Sequence, residues 1–205
     1  MKIVLCILLG YLLGTLSPSA LVSKIKKKNL REHGTKNLGA TNTLLNFGKG
    51  WGAFVLIFDI AKAYIAYKLA QHLFPQIWLA GMIAGCASIV GHIFPFYMGF
   101  KGGKGLAALG GAILAHDPLI FLFMVVVCFG LMLLLNYSFV LPISAAILFP
   151  ILSGIRSGSI AIGLMATLMG GLLLFSHRAD IVKVIRGEAT HTNVRKFLHR
   201  SSNDK

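Results

Sequence analysis

Residues 91–105 read GHIFPFYMGFKGGKG, and the way this stretch interrupts its surroundings decides what kind of molecule the chain makes. An apolar run over residues 77–98 ends among His92, Pro95 and a glycine-rich turn, and a second apolar run begins at Leu106. Two hydrophobic segments joined by a short cationic turn describe membrane helices that meet at the bilayer surface. Gly102, Gly103 and Gly105 have no Cβ, so the backbone reaches positive φ and its N–H groups are able to converge on one oxyanion beside the ammonium groups of Lys101 and Lys104. That chemistry suits a phosphate. A helix-terminating loop with two solvated lysines accounts for the same residues, and the turn alone leaves both readings open. An ATP-binding P-loop is excluded, because three residues rather than four precede the Gly-Lys pair and Gly105 stands where a magnesium-binding Ser or Thr would be.

Working outward, the 205 residues are 56% hydrophobic and only 13% charged. Such runs exceed what a soluble domain of this length buries, so the fold class is an all-α polytopic membrane bundle. Apolar segments occupy residues 3–22, 51–70, 77–98, 106–115, 119–135, 139–155 and 160–176, which makes about seven spans. The run over 106–115 rises only about 15 Å as a helix. Joined to the next run through His116, Asp117 and Pro118 as one broken, re-entrant element, it reduces the total to five or six. The first run is expected to be a span and not a secretory signal, for no small-residue cleavage site introduces a soluble region.

The formal charge of +14 suggests nucleic acid in a soluble protein, but here the basic residues sit in a few loops between apolar runs. Residues 23–50 carry seven of the twenty Lys and Arg, the turn over 99–105 two, and the segment from His177 onward seven. The positive-inside rule assigns all three to the cytoplasm, with the N-terminus outside and the C-terminus inside. The run over 24–28 serves as a topology signal and a contact for anionic lipid. Residues 1–190 are expected to form one integral membrane domain, followed by a basic cytoplasmic tail over 191–205. Cys6, Cys86 and Cys128 lie in apolar runs without metal-ligand or CxxC spacing and read as small buried hydrophobes.

Two further polar segments share the face of the glycine turn. Residues 30–48 are too rich in Gly, Asn and Thr for one helix and read as a binding loop, with a hydrated loop as the alternative. Arg31 offers a planar fork for phosphate, and Asn37, Thr41 and Asn42 offer neutral donors. The last apolar run ends at His177 and Arg178, followed at helical spacing by Asp180 and Lys183. Asp59 and Lys62, three residues apart inside the second run, share a helical face and are expected to pair with each other near the interface. A proton or ion relay is the sharper alternative.

The stretches REHGTKNLGATN at 31–42, GHIFPFYMGFKGGKG at 91–105 and HRADIVKVIRGE at 177–188 together resemble the three motifs of the bacterial acyl-phosphate:glycerol-3-phosphate acyltransferase family. The likeness covers residues 1–190, and Asp59 and Lys62 fall where that family has such a pair. It implies an enzyme of phospholipid synthesis in the bacterial cell membrane, multi-pass, with its site facing the cytoplasm. Its partners would be acyl phosphate, glycerol 3-phosphate and membrane lipids, with association with other phospholipid-synthesis enzymes open and no nucleic acid.

Carried onto this sequence, the resemblance gives catalytic roles to His177, Arg31 and Thr35. Substrate binding falls to Lys36, Asn37, Thr41, Asn42, His92, Lys101, Gly102, Gly103, Lys104, Gly105, Arg178 and Asp180. Within that set the residues 102–104 would hold glycerol 3-phosphate, Arg31 and Asn42 acyl phosphate, and His177 the attacking hydroxyl or its proton. No cofactor and no metal is implied, as the few carboxylates do not cluster with histidines at ligand spacing. The family's first motif usually reads REHGSGNPGATN with an arginine three residues on, where this chain has Thr35, Lys36 and Leu45, and Asp180 stands where asparagine is usual. Those departures motivate a non-catalytic paralogue that binds phosphorylated lipid precursors as one alternative. A small membrane transporter, suggested by Asp59 and Lys62, is another.

Overall fold

The computed structural model describes residues 1–188, and among these every regular element is a helix. The expected tail over 191–205 lies outside the described residues. In chain order the helices are α1 (Lys2–Thr15), α2 (Pro18–Ile25), α3 (Ala40–Phe47), α4 (Lys49–Leu73) and α5 (Ala80–Ile93). A short 3₁₀ turn over Phe96–Met98 leads into α6 (Leu106–His116), α7 (Pro118–Leu135), α8 (Val140–Ser157), α9 (Ile160–Ser176) and α10 (Arg178–Ile185).

The first apolar run is interrupted between α1 and α2. Ser17 leaves the helical conformation and its Oγ accepts from the Ala20 N–H at 3.3 Å, while Pro18 supplies a fixed φ at the first position of α2. Among the described residues, four stretches are long and apolar enough to cross a membrane: Lys2–Ile25, Ala80–Met98, Pro118–Leu135 and Val140–Ser157. A fifth is formed if Ile160–Ser176 and Arg178–Ile185, bent by 66° at their junction, count as one broken span. The α4 helix has the length but carries Asp59, Lys62 and Lys68, and α6 has only 11 residues. The α6 helix lies inside the bundle, whereas α4 buries the face that carries Asp59, Lys62 and Ala66 and leaves Ile57 and Ile65 exposed.

Glycine, more than bulk, sets how closely these helices approach. A Cβ added to Gly10 or Gly14 of α1 would fall 2.2 Å from the Ala84 carbonyl oxygen and 2.1 Å from that of Ser88, so α1 lies backbone to backbone on α5. Gly111 meets the Ile60 carbonyl in the same way, seating α6 on α4, and Gly170 meets that of Ala146, seating α9 on α8. Lipid gives apolar side chains no reason to leave it, so close backbone contact through small residues is the means by which membrane helices associate. The outside of the bundle is correspondingly apolar: Leu119, Leu122, Phe123, Val126 and Leu134 on α7 are all at least half exposed. Each of the three cysteines is buried and unpaired by disulfide, as read from the sequence.

Candidate active site

The site is built on the end of α5 and the start of α6. After Pro95 the chain doubles back, with Gly99 at φ 65° and Phe100 at φ 57°. The Gly102 N–H donates to the Ile93 carbonyl at 2.9 Å and the Gly103 N–H to the His92 carbonyl at 3.0 Å. This revises the expectation that the amides of Gly102 and Gly103 converge on an anion. Those two amides close the turn onto α5 instead. Space is the reason glycine stands at 103: a Cβ there would lie 2.2 Å from His92 Nε2 and 2.6 Å from the Leu38 carbonyl oxygen. Next along the chain the N–H groups of Lys104, Gly105 and the first turn of α6 have no acceptor among the described residues. A helix start of this kind attracts negative charge.

The loop before α3 folds around Asn42, which is fully buried. Its Nδ2 donates to the carbonyls of Leu30 (2.8 Å), Asn37 (2.9 Å) and His33 (3.1 Å), and its Oδ1 accepts from the Thr35 N–H at 2.9 Å and from Asn46 Nδ2 at 3.0 Å. The Asn42 side chain is therefore consumed in shaping the loop, not offered to a ligand. Around it Arg31, Thr35, Lys36 and Thr41 are exposed and Asn37 is partly so. Arg31 reaches across to the glycine turn, where Nη2 donates to the carbonyls of Met98 (3.3 Å) and Lys101. Beside it an open basic depression of about 390 Å³ lies between Lys24, Lys27, Lys28 and Arg31, with Leu38 and Met98 among its lining.

The third segment arrives at the end of α9. Ser176 Oγ donates to the Lys104 carbonyl at 2.6 Å, and Lys104 Nζ forms an ion pair with Asp180. His177 is buried, with Nδ1 at 2.9 Å from the Leu173 carbonyl oxygen. A carbonyl only accepts, so Nδ1 carries the hydrogen and Nε2 keeps a lone pair. Burial pushes the imidazole below its usual range; the bond to Leu173 and nearby Asp180 oppose that shift, and the Lys104 charge adds to it. Arg178 turns back on its own helix end, donating to the Phe175 carbonyl at 2.9 Å and stacking over the Phe175 ring. The Lys101 side chain is exposed.

Beneath the turn Asp59 and Lys62 form the expected pair at 2.7 Å, with both side chains buried. The sequence reading missed its third and fourth members. Lys62 Nζ also lies 2.9 Å from His92 Nδ1 and donates to the Leu16 carbonyl at 2.5 Å. One nitrogen of His92 is thus engaged by the buried charges while the other edge of the ring supports Gly103. Only the position of His92 at the end of an apolar run hinted at this.

The family model described as glycerol-3-phosphate acyltransferase matches residues 4–187. A glycerol-3-phosphate acyltransferase of Staphylococcus haemolyticus is 33% identical over 92% of this chain and 96% of its own length. One from Aquifex aeolicus is 32% identical over 91% and 97%. Among solved structures, the glycerol 3-phosphate form of PlsY (YgiH), an integral membrane glycerol 3-phosphate acyltransferase, superposes with a TM-score of 0.88 at 29% identity, covering 97% of this chain and 99% of that one. Its lysophosphatidic acid form gives a TM-score of 0.85.

Proposed function

This chain belongs to the glycerol-3-phosphate acyltransferase family, and from that premise we propose that it moves a fatty acyl group from acyl phosphate to the 1-hydroxyl of glycerol 3-phosphate. The hydroxyl oxygen attacks the acyl carbonyl carbon, the bond from that carbon to the phosphate oxygen breaks, and lysophosphatidate and inorganic phosphate leave. Phosphate departs readily, so the protein's tasks are to hold two anions together, orient the hydroxyl and receive its proton.

The observation that carries this reading is the meeting of all three polar segments at the glycine turn that holds Lys104. Arg31 and Leu38 reach the turn from one side, and Ser176 and Asp180 from the other. Lys104, with the free amides of Gly105 and the start of α6, holds the phosphate of glycerol 3-phosphate. The exposed rim of Thr35, Lys36 and Thr41, with the basic depression at Arg31, takes the head of acyl phosphate. The neutral His177 receives the hydroxyl proton at Nε2, the nitrogen left unprotonated by its bond to Leu173. Asn42 and His92 act by positioning.

The protein is an integral membrane protein, and the finer topology we infer is seven traverses with the site on the cytoplasmic side and residues 1–188 within one domain. Support comes from the pairing of helix ends. The Tyr67 hydroxyl lies 3.0 Å from His116 Nδ1 and Asp117 pairs with Arg156, which groups the late part of α4 with the α6–α7 junction and the end of α8. Lys104, Ser176 and Asp180 gather at the opposite end of α6.

Purified protein in vesicles, supplied with acyl phosphate and glycerol 3-phosphate, is expected to release phosphate and form lysophosphatidate, and to form none from acyl-CoA. Folded protein that binds glycerol 3-phosphate without turnover would sink the enzymatic reading.

A further inference from the structure

Lys104 already has an anionic partner. Its ion pair with Asp180 differs from the buried pair below it, because the two side chains keep 34% and 33% of their surface exposed. Water reaches and screens a half-buried pair of this kind, which leaves it weaker and more readily exchanged than a buried one. Asp180 also rides on α10, an eight-residue helix with no buried residue that leaves α9 at 66°, so little packing fixes its place. A second cation, Lys183, lies three residues along the same helical face.

A carboxylate and a phosphate at Lys104 draw on one positive charge and repel each other. We propose that Asp180 sets affinity by competing with the substrate's phosphate for Lys104. A dianionic phosphate displaces the carboxylate, and the Asp180 side chain turns along its own helix face to Lys183. The inference rests on the reading of Lys104 as the phosphate's ligand. It makes Asp180 a selector for doubly charged substrates, since a singly charged analogue lacks the charge to displace it.

The test is steady-state kinetics of the full chain in vesicles with glycerol 3-phosphate varied. Asp180→Asn is expected to lower KM about three- to fivefold, the scale of one exposed ion pair, and to strengthen inhibition by inorganic phosphate by a similar factor. Asp180→Glu, which keeps the carboxylate, stays closer to the parent than Asp180→Asn does. A purely structural role has the opposite sign, a higher KM with a lower unfolding temperature, and that result or an unmoved KM overturns the proposal. If Asp180→Asn does not fold, Asp180→Ser carries the same expectation. Lys104→Ala separates the two layers: a KM raised at least about tenfold, as for loss of a charge-assisted contact, keeps the ligand assignment and isolates Asp180. An unmoved KM there removes the ligand assignment and the competition together.

Discussion

The two ends of α6 each carry an ion pair, and they differ in what remains available around it. At the far end Asp117 accepts from the N–H groups of Leu119 (2.8 Å) and Ile120 (3.2 Å), caps α7 and pairs with Arg156. Its oxygens are committed to the protein. At the near end α6 has no side-chain cap, Gly105 enters it at φ 87°, and the amides from Lys104 onward find no acceptor among the described residues until Leu109 bonds the Gly105 carbonyl. The same helix is finished at one end and left electrostatically open at the other. The first amides of any helix are completed by a cap, by water or by an anion, and the lysines beside this start favour an anion.

Mutations at the open end should therefore strike activity and those at the closed end stability. The largest effect is expected at His177: replacement by alanine should lower kcat by about 10²- to 10⁴-fold, the range for loss of a positioned base, with KM for glycerol 3-phosphate moved far less. Its pH profile sharpens the point. Burial lowers the imidazole's pKa, so the working neutral form should persist at pH values below about 6.5, the ordinary histidine value, with activity falling only on further acidification. The linked effect on stability has the same direction. The unfolded chain binds the proton more readily, so stability drops as pH falls from the ordinary value through the lowered one. An acid limb that begins above the ordinary value would contradict both.

Next in size is Gly103→Ala, whose new Cβ must displace His92 or the Leu38 carbonyl. A shift of the turn by even part of an ångström should cost about tenfold or more in kcat/KM, whereas Gly171→Ala, with nothing within 4 Å of its Cβ, serves as the control. The smallest effect is expected at the closed end. Arg156 is 54% exposed, so Arg156→Ala should lower stability by about 0.2–1 kcal/mol and leave KM where it was. A large kinetic effect there would break the contrast between the two ends.

Local chemistry made much of the fold legible. The run over 160–176 is α9 to the residue and the run over 119–135 is α7 less its Pro118, because Ser159 and Asp117 cap those starts. The break at Ser17-Pro18 carried an equally local signal and was absorbed into an apolar average. Residues whose role depends on distant partners were harder to place. Asn42 reads as a polar donor in a loop, and only the return of residues 30–37 around it shows that its amide is fully used. Arg31 reads as a phosphate fork, yet its visible partners are carbonyls 67 and 70 residues away. The grouping of three polar segments on one face followed from counting spans and charges; which atoms in them stay free did not.

The buried cluster below the turn has a consequence for how the chain is made. Asp59 and Lys62 take their further partners from Leu16, synthesised earlier, and His92, synthesised later. A charge carried into a membrane segment is costly unless it is paired, so until residue 92 is made α4 has its own Asp59–Lys62 pair and the Leu16 carbonyl to offset that cost. Its settling into place is thus tied to the arrival of α5, and the same histidine that completes the cluster then sets the turn that follows it.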